Sequence, residues 1–144
     1  MHENAIAPLT ASRSFETRAV HGGREDLHTL GVHALPIDLS STYPVPDLVQ
    51  GGLDLEAMAM GGHPRTTPVY SRLHNPTVAR FERALAGLEG TDEAVAFSSG
   101  MAALTTVLMA VRERAGAGNP GHVVAVRPLY GGTDHVLASG LLGL

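Results

Sequence analysis

The sequence predicts an α/β fold with a parallel sheet, preceded by an extended amino-terminal arm. Three observations carry this. From Tyr70 onward, apolar residues at helical spacing alternate with short continuous apolar runs, in the order helix, strand, helix, strand, helix. The first of those runs passes directly into a helix through the small residues Ser98-Ser99-Gly100. Residues 1 to about 69 lack such order and are punctuated by Pro36, Pro44, Pro46, Pro64 and Pro68 and by paired glycines at 22–23, 51–52 and 61–62. The organisation read from this texture is an irregular arm over 1–69 and the first part of an α/β domain over 70–144.

Within the arm, a short helix is expected around Phe15 to His21 and a second from Leu53 to Met60. The rest offers little periodic apolar face and is expected to lie extended on another surface. Asn75 is a good helix N-cap and Pro76 suits the first helical position. Val78, Phe81, Leu85 and Leu88 then recur at helical spacing, and Gly90 is the expected stop. Ala94 to Phe97 reads as a buried strand. Leu104, Val107, Leu108 and Val111 make the next helical stripe, with Arg112 and Arg114 at the end where the helix dipole favours cations. After a Gly/Pro loop from Ala115 to Gly121, His122 to Val126 reads as a second buried strand, and a third helix starts near Gly132 and runs to the end.

Composition narrows the function classes. The 144 residues match one ordinary domain, 44% of them hydrophobic. The formal net charge is −4 without a basic run, which argues against nucleic-acid binding. With no cysteine, there is neither a disulfide framework nor a thiolate metal site. The eight histidines lack metal-ligand spacing; His28 and His33, for example, are five apart. No apolar stretch has the length of a membrane span, and Met1 to Thr10 lack the basic and apolar regions of a signal peptide, so a cytoplasmic setting is expected. All ten Lys+Arg residues are arginine. The chain therefore has no side-chain amine for an imine or for lysine general-base work.

Three motifs sit where chemistry is done. A strand that turns into a helix at Ser98-Ser99-Gly100-Met101 presents backbone N–H groups at a helix N-terminus, a ready anion site. Gly100 lets the backbone approach a phosphate, and the serine hydroxyls can cap the helix or donate. A plain cap without ligand uses the same residues. In Tyr70-Ser71-Arg72, the guanidinium suits bidentate phosphate binding and the phenol adds a donor; a solvated loop arginine beside a packed tyrosine is the bland alternative. Tyr130, in Leu129-Tyr130-Gly131-Gly132-Thr133, follows the second expected strand, where ligands of open α/β sheets bind. There it can stack on a flat ring or simply cover the sheet end.

In this order, the stretches 70–77, 85–90, 96–103 and 129–133 resemble the Cys/Met-metabolism enzymes that depend on pyridoxal 5′-phosphate (PLP), a family of fold type I that includes cystathionine γ-synthases and γ-lyases, methionine γ-lyases and O-acylhomoserine sulfhydrylases. Thr17 to Gly23 and Pro36 to Pro44 resemble that family's arm. The resemblance implies an incomplete fold-type-I large domain and PLP as cofactor. It implies phosphate contacts from Gly100 and Met101, with Ser99 beside them, and ring stacking and proton transfer by Tyr130. Tyr70 and Arg72 would reach the phosphate of a neighbouring subunit's cofactor.

The family's Schiff-base lysine, pyridine-nitrogen aspartate and substrate-binding arginine would all fall beyond residue 144. The first two strands of this fold type are not sheet neighbours, so these residues are expected not to close a sheet by themselves. The function implied is β/γ-elimination or γ-replacement on a sulfur- or acyloxy-bearing amino acid. The chain would be one subunit of a split, hetero-oligomeric enzyme whose second polypeptide supplies the lysine. The alternatives are a non-catalytic docking or regulatory module and an inactive truncated fragment. Leu73-His74 departs from the family's usual Tyr-Gly or Ser-Gly pair, the loop from Arg112 to Gly121 is somewhat long, and Gly132 replaces a cysteine expected of methionine γ-lyases.

Overall fold

The computed structural model describes residues 14–116 and 122–140. The Met1 to Thr10 start, most of the Ala115 to Gly121 loop and the last four residues of the third expected helix lie outside that range. Six helices are present among the described residues: α1 (Phe15–His21), α2 (Leu27–Leu30), α3 (Leu48–Ala59), α4 (Pro76–Glu89), α5 (Gly100–Ala115) and α6 (Gly131–Ala138). They fall into two compact units, Met1–Val95 and Ala96–Leu144.

Local chemistry sets most helix ends. Ser14 caps α1 by accepting from the Thr17 N–H. Asp47 caps α3 by accepting from the N–H groups of Val49 and Gln50 at 2.8 and 2.9 Å. Asn75 caps α4 through the N–H groups of Thr77 and Val78, with Pro76 at the first helical position. Gly90 closes α4 in the left-handed conformation, φ 70°.

In the first unit α1 packs on α4. Gly23 has φ +75°, and a Cβ there would stand 3.2 Å from the Arg80 side chain. The glycine therefore serves both backbone conformation and close approach. Arg80 uses that approach to donate to the Gly23 carbonyl at 2.8 Å and to grip the Asp26 carboxylate with both terminal nitrogens. Arg18 donates to the Gly87 carbonyl at 2.6 Å.

One expectation is corrected and one is met only in part. The helix expected from Leu53 begins at Leu48, because the Gly51-Gly52 pair does not break it. Gly51 is buried, and a Cβ there would meet Val45 Cγ1 at 2.2 Å, so the glycine admits a neighbouring chain segment. More consequentially, no parallel sheet forms among the described residues. Neither Ala94 to Phe97 nor His122 to Val126 forms a strand, and the one β pairing among the described residues is an antiparallel bridge between Thr42 and Tyr70.

The physical reason is that a strand exists only as a member of a ladder. Both segments have the apolar run of a buried strand, but here Val95 is 70% exposed and Val124 87%. The buried apolar set is small, comprising Met58, Ala79, Ala86 and Leu108. Apolar side chains of such segments exposed in water call for a covering surface.

Candidate functional site

Ser99 stands in extended conformation before α5, and its hydroxyl accepts from the Ala102 N–H at 3.1 Å. Its carbonyl takes the Ala103 N–H at 3.1 Å. The N–H groups of Gly100 and Met101 receive no acceptor among the described residues, as expected for the opening of a helix. A Cβ built on Gly100 would meet nothing within 4 Å, so the backbone there borders open space. These donors head a 16-residue helix whose dipole favours an anion at this end.

Tyr130 is brought to the same place. It is the N-cap residue of α6, and α6 packs on α5. The contact is close because position 132 is glycine: a Cβ there would lie 2.9 Å from Tyr130 Cε1 and 3.3 Å from Met101 Sδ. The Thr133 hydroxyl donates to that sulfur at 3.6 Å. Arg127 pairs with Asp134 in the first turn of α6 at 2.9 Å, tying the segment that enters Tyr130 to the helix it caps. Tyr130 is itself 74% exposed, leaving its ring available for stacking. Ser99, Gly100, Met101 and Tyr130 thus gather in the second unit, with open helix N–H groups beside an accessible aromatic ring.

Tyr70 and Arg72 belong to the first unit. The Arg72 guanidinium lies 5.1 Å from the centroid of the Tyr70 ring, so the two are presented together. Tyr70 is fixed by its bridge to Thr42, and Ser71 N–H donates to the Ser41 carbonyl at 2.9 Å. Val69, just before it, has φ +56°, and the Tyr70 N–H turns back to the Pro68 carbonyl across it. For a β-branched residue this conformation is strained.

A residue not singled out from sequence lies upstream of this turn. Asp54 in α3 is 1% exposed and accepts five hydrogen bonds. Oδ1 takes Gln50 Nε2 at 3.2 Å and Arg65 N–H at 2.8 Å. Oδ2 takes the N–H groups of Thr66 and Thr67 at 3.2 and 3.1 Å and the Thr66 hydroxyl. The Thr66 hydroxyl first, then the backbone donors, hold this carboxyl well below the usual range.

Among the described residues, no group of three His, Asp or Glu side chains is arranged to hold a metal ion, and no helix is long and apolar enough to cross a membrane.

A helix N-terminus with unengaged N–H groups and an exposed tyrosine at its side suits a cofactor with a phosphate and a flat ring. The match to known proteins is of that class. Residues 16–142 match the profile of the Cys/Met metabolism PLP-dependent enzymes. The chain is 59% identical to an L-methionine gamma-lyase of Streptomyces avermitilis over 92% of its length and 32% of that protein's. It is 55% identical to an L-methionine gamma-lyase of Brevibacterium aurantiacum over 89% of this chain and 31% of that protein. It is 42% identical to an O-acetyl-L-homoserine sulfhydrylase of Corynebacterium glutamicum over 83% of this chain and 25% of that protein.

The chain belongs to the Cys/Met metabolism PLP-dependent enzyme family, whose cofactor is pyridoxal 5′-phosphate. It spans about a third of the length of the curated methionine gamma-lyases it matches. Gly132 in place of the expected cysteine does not remove it from the neighbourhood of proteins with that name.

Proposed function

We propose that the chain forms the phosphate-holding and ring-stacking part of a PLP enzyme that eliminates or replaces a β- or γ-substituent on a sulfur- or acyloxy-bearing amino acid. The observation that carries this is the convergence of the unengaged Gly100 and Met101 N–H groups with Tyr130 at the opening of α5. The relatives' names, methionine gamma-lyase and O-acetylhomoserine sulfhydrylase, support the substrate class. PLP, when bound, supplies an electron sink for the substrate's α-carbon.

The chain's own residues do the rest of what it can do. The N–H groups of Gly100 and Met101, with the Ser99 hydroxyl nearby, bind the phosphate. Tyr130 lies against the pyridine ring, and its hydroxyl moves a proton to or from the departing group. Tyr70 and Arg72 donate to the phosphate of a cofactor in a neighbouring subunit. The lysine, absent from these residues, comes from a second polypeptide in a cytoplasmic hetero-oligomer. The apolar segment at 122–126, which forms no strand among the described residues, supports such a partner, because its strands would supply a ladder.

The test is reconstitution. Co-produced with a lysine-bearing polypeptide that continues the fold, the chain should yield turnover that neither chain gives alone. In that assembly Tyr130→Phe should lower kcat by about a hundredfold while PLP content stays unchanged. Turnover by this chain without any lysine-bearing polypeptide would overturn the reading.

A further inference from the structure

The carboxylate of Asp54 is the only fully buried polar or charged side chain below 2% exposure among the described residues, and the proposed chemistry does not use it. All of its partners donate. Three are consecutive backbone N–H groups, at Arg65, Thr66 and Thr67. A neutral amide cannot replace it without loss. Whichever way an asparagine turned, its NH₂ would face at least two of these donors.

Thr67 carries the anchoring forward. It is 6% exposed, and while its N–H donates to Asp54, its hydroxyl donates to the Pro44 carbonyl at 2.9 Å and accepts from the Val69 N–H at 3.5 Å. Val69 is the strained residue whose turn sets Tyr70 and Arg72. A strained conformation persists only where its surroundings over-determine it. On the far side, the Tyr43 N–H donates to the Val69 carbonyl at 3.1 Å, and Ser41 and Thr42 hold Ser71 and Tyr70. On the near side, the anchorage runs through Thr67 to Asp54.

We propose that Asp54 is a positioning residue for the cofactor phosphate: by gathering the donors of residues 65–67 it locks the turn at Val69 and so fixes where Tyr70 and Arg72 are presented. This rests on the reading that Tyr70 and Arg72 hold a phosphate. Asp54 touches neither cofactor nor substrate and acts through Thr67 and Val69.

Two readouts in the assembled, PLP-loaded enzyme test it. One is the preference for PLP over pyridoxal, which lacks the phosphate. The other is tryptic cleavage, which in this chain occurs only at arginine and so reports the segment directly at Arg65 and Arg72. Asp54→Asn should lower the PLP preference about tenfold, the loss of one charge-assisted hydrogen bond, and speed cleavage after Arg65 and Arg72 about tenfold, leaving Arg114 unchanged. Thr67→Val keeps the Asp54 cage and cuts the relay; it should move both readouts in the same direction by a smaller factor, and it alone decides if Asp54→Asn does not assemble. Arg72→Ala should lower the phosphate preference by more than Asp54→Asn does, without changing cleavage at Arg65, and the Gly100 and Met101 donors keep the remainder. If Arg72→Ala lowers it while Asp54→Asn and Thr67→Val leave it unchanged, the positioning role is overturned and the reading that Arg72 holds a phosphate stands. If Arg72→Ala leaves it unchanged, that reading falls and the positioning role with it.

Discussion

The two compact units meet the same demand in opposite ways. In Met1–Val95 several polar side chains are bonded across the unit. Asp54 holds residues 65–67, Arg80 holds Asp26 and the Gly23 carbonyl, and Arg18 holds the Gly87 carbonyl. Among the described residues of Ala96–Leu144 the order shown comes from helix caps, the glycine-mediated contact of α6 with α5 and the exposed Arg127–Asp134 pair. Leu108 is its one buried large apolar residue among those described. The unit that carries Gly100, Met101 and Tyr130 is thus the one that builds least of its own support. A ligand site at strand ends depends on a sheet, and no sheet is present among the described residues.

The contrast is most directly broken by hydrogen exchange. In the chain alone, the amides of 122–126 should exchange as if unprotected, because that segment forms no strand among the described residues. Those of Arg65, Thr66 and Thr67 should be protected by Asp54. On assembly with the lysine-bearing partner proposed above, the first set should slow by about a thousandfold or more and the second by less than about tenfold, the former corresponding to roughly 4 kcal/mol of new local stability. Protection of 122–126 in the chain by itself would mean that a sheet forms without a partner, and the contrast would collapse.

A pair of arginine substitutions sharpens it. Arg80 is 12% exposed in its side chain and makes a two-pronged pair with Asp26 plus a carbonyl bond. Arg80→Ala should destabilise the first unit by about 2 kcal/mol, read from denaturant midpoints or from exchange in α4. Arg127, 72% exposed, pairs with a partly exposed Asp134. Arg127→Ala should cost only about 0.3 kcal/mol. Equal effects from the two would show that burial is not what separates the units.

What was legible in the sequence follows the same line. Helix ends that obey local rules were readable: Phe15 to His21, the Asn75-Pro76 start, the Gly90 stop and the Ser99 start of α5. Such caps are decided within a few residues. The Gly51-Gly52 pair misled, because a glycine admitted for close approach looks like one placed to break a helix. Asp54 went unseen because its donors lie eleven to thirteen residues away and no periodicity links them. The strands at 94–97 and 122–126 had the composition of strands, but pairing is a non-local property that composition does not supply. Of the candidate site, the motif order proposed the residues. That Tyr130 and Met101 close around Gly132 emerged only from the packing of α6 on α5.

The smallest expected effect is a pH dependence confined to the first unit. His74 is half-buried beside the Asn75 cap, and its ring meets that of His63 edge-on, with centroids 5.8 Å apart. Burial first, and then the charge of His63, push its pKa below the ordinary 6.5, with Glu82 acting against and Arg83 with them. The folded form therefore resists protonation more than the unfolded chain does. The stability this contributes is fully present above pH 6.5 and is lost as the pH falls through the lower folded value. Exchange in α4 should accelerate modestly over that window, and His74→Gln should flatten the profile. His63→Gln should flatten it only in part, since it removes the charge but not the burial. An unchanged profile in His74→Gln would assign the acid sensitivity of this unit to another group.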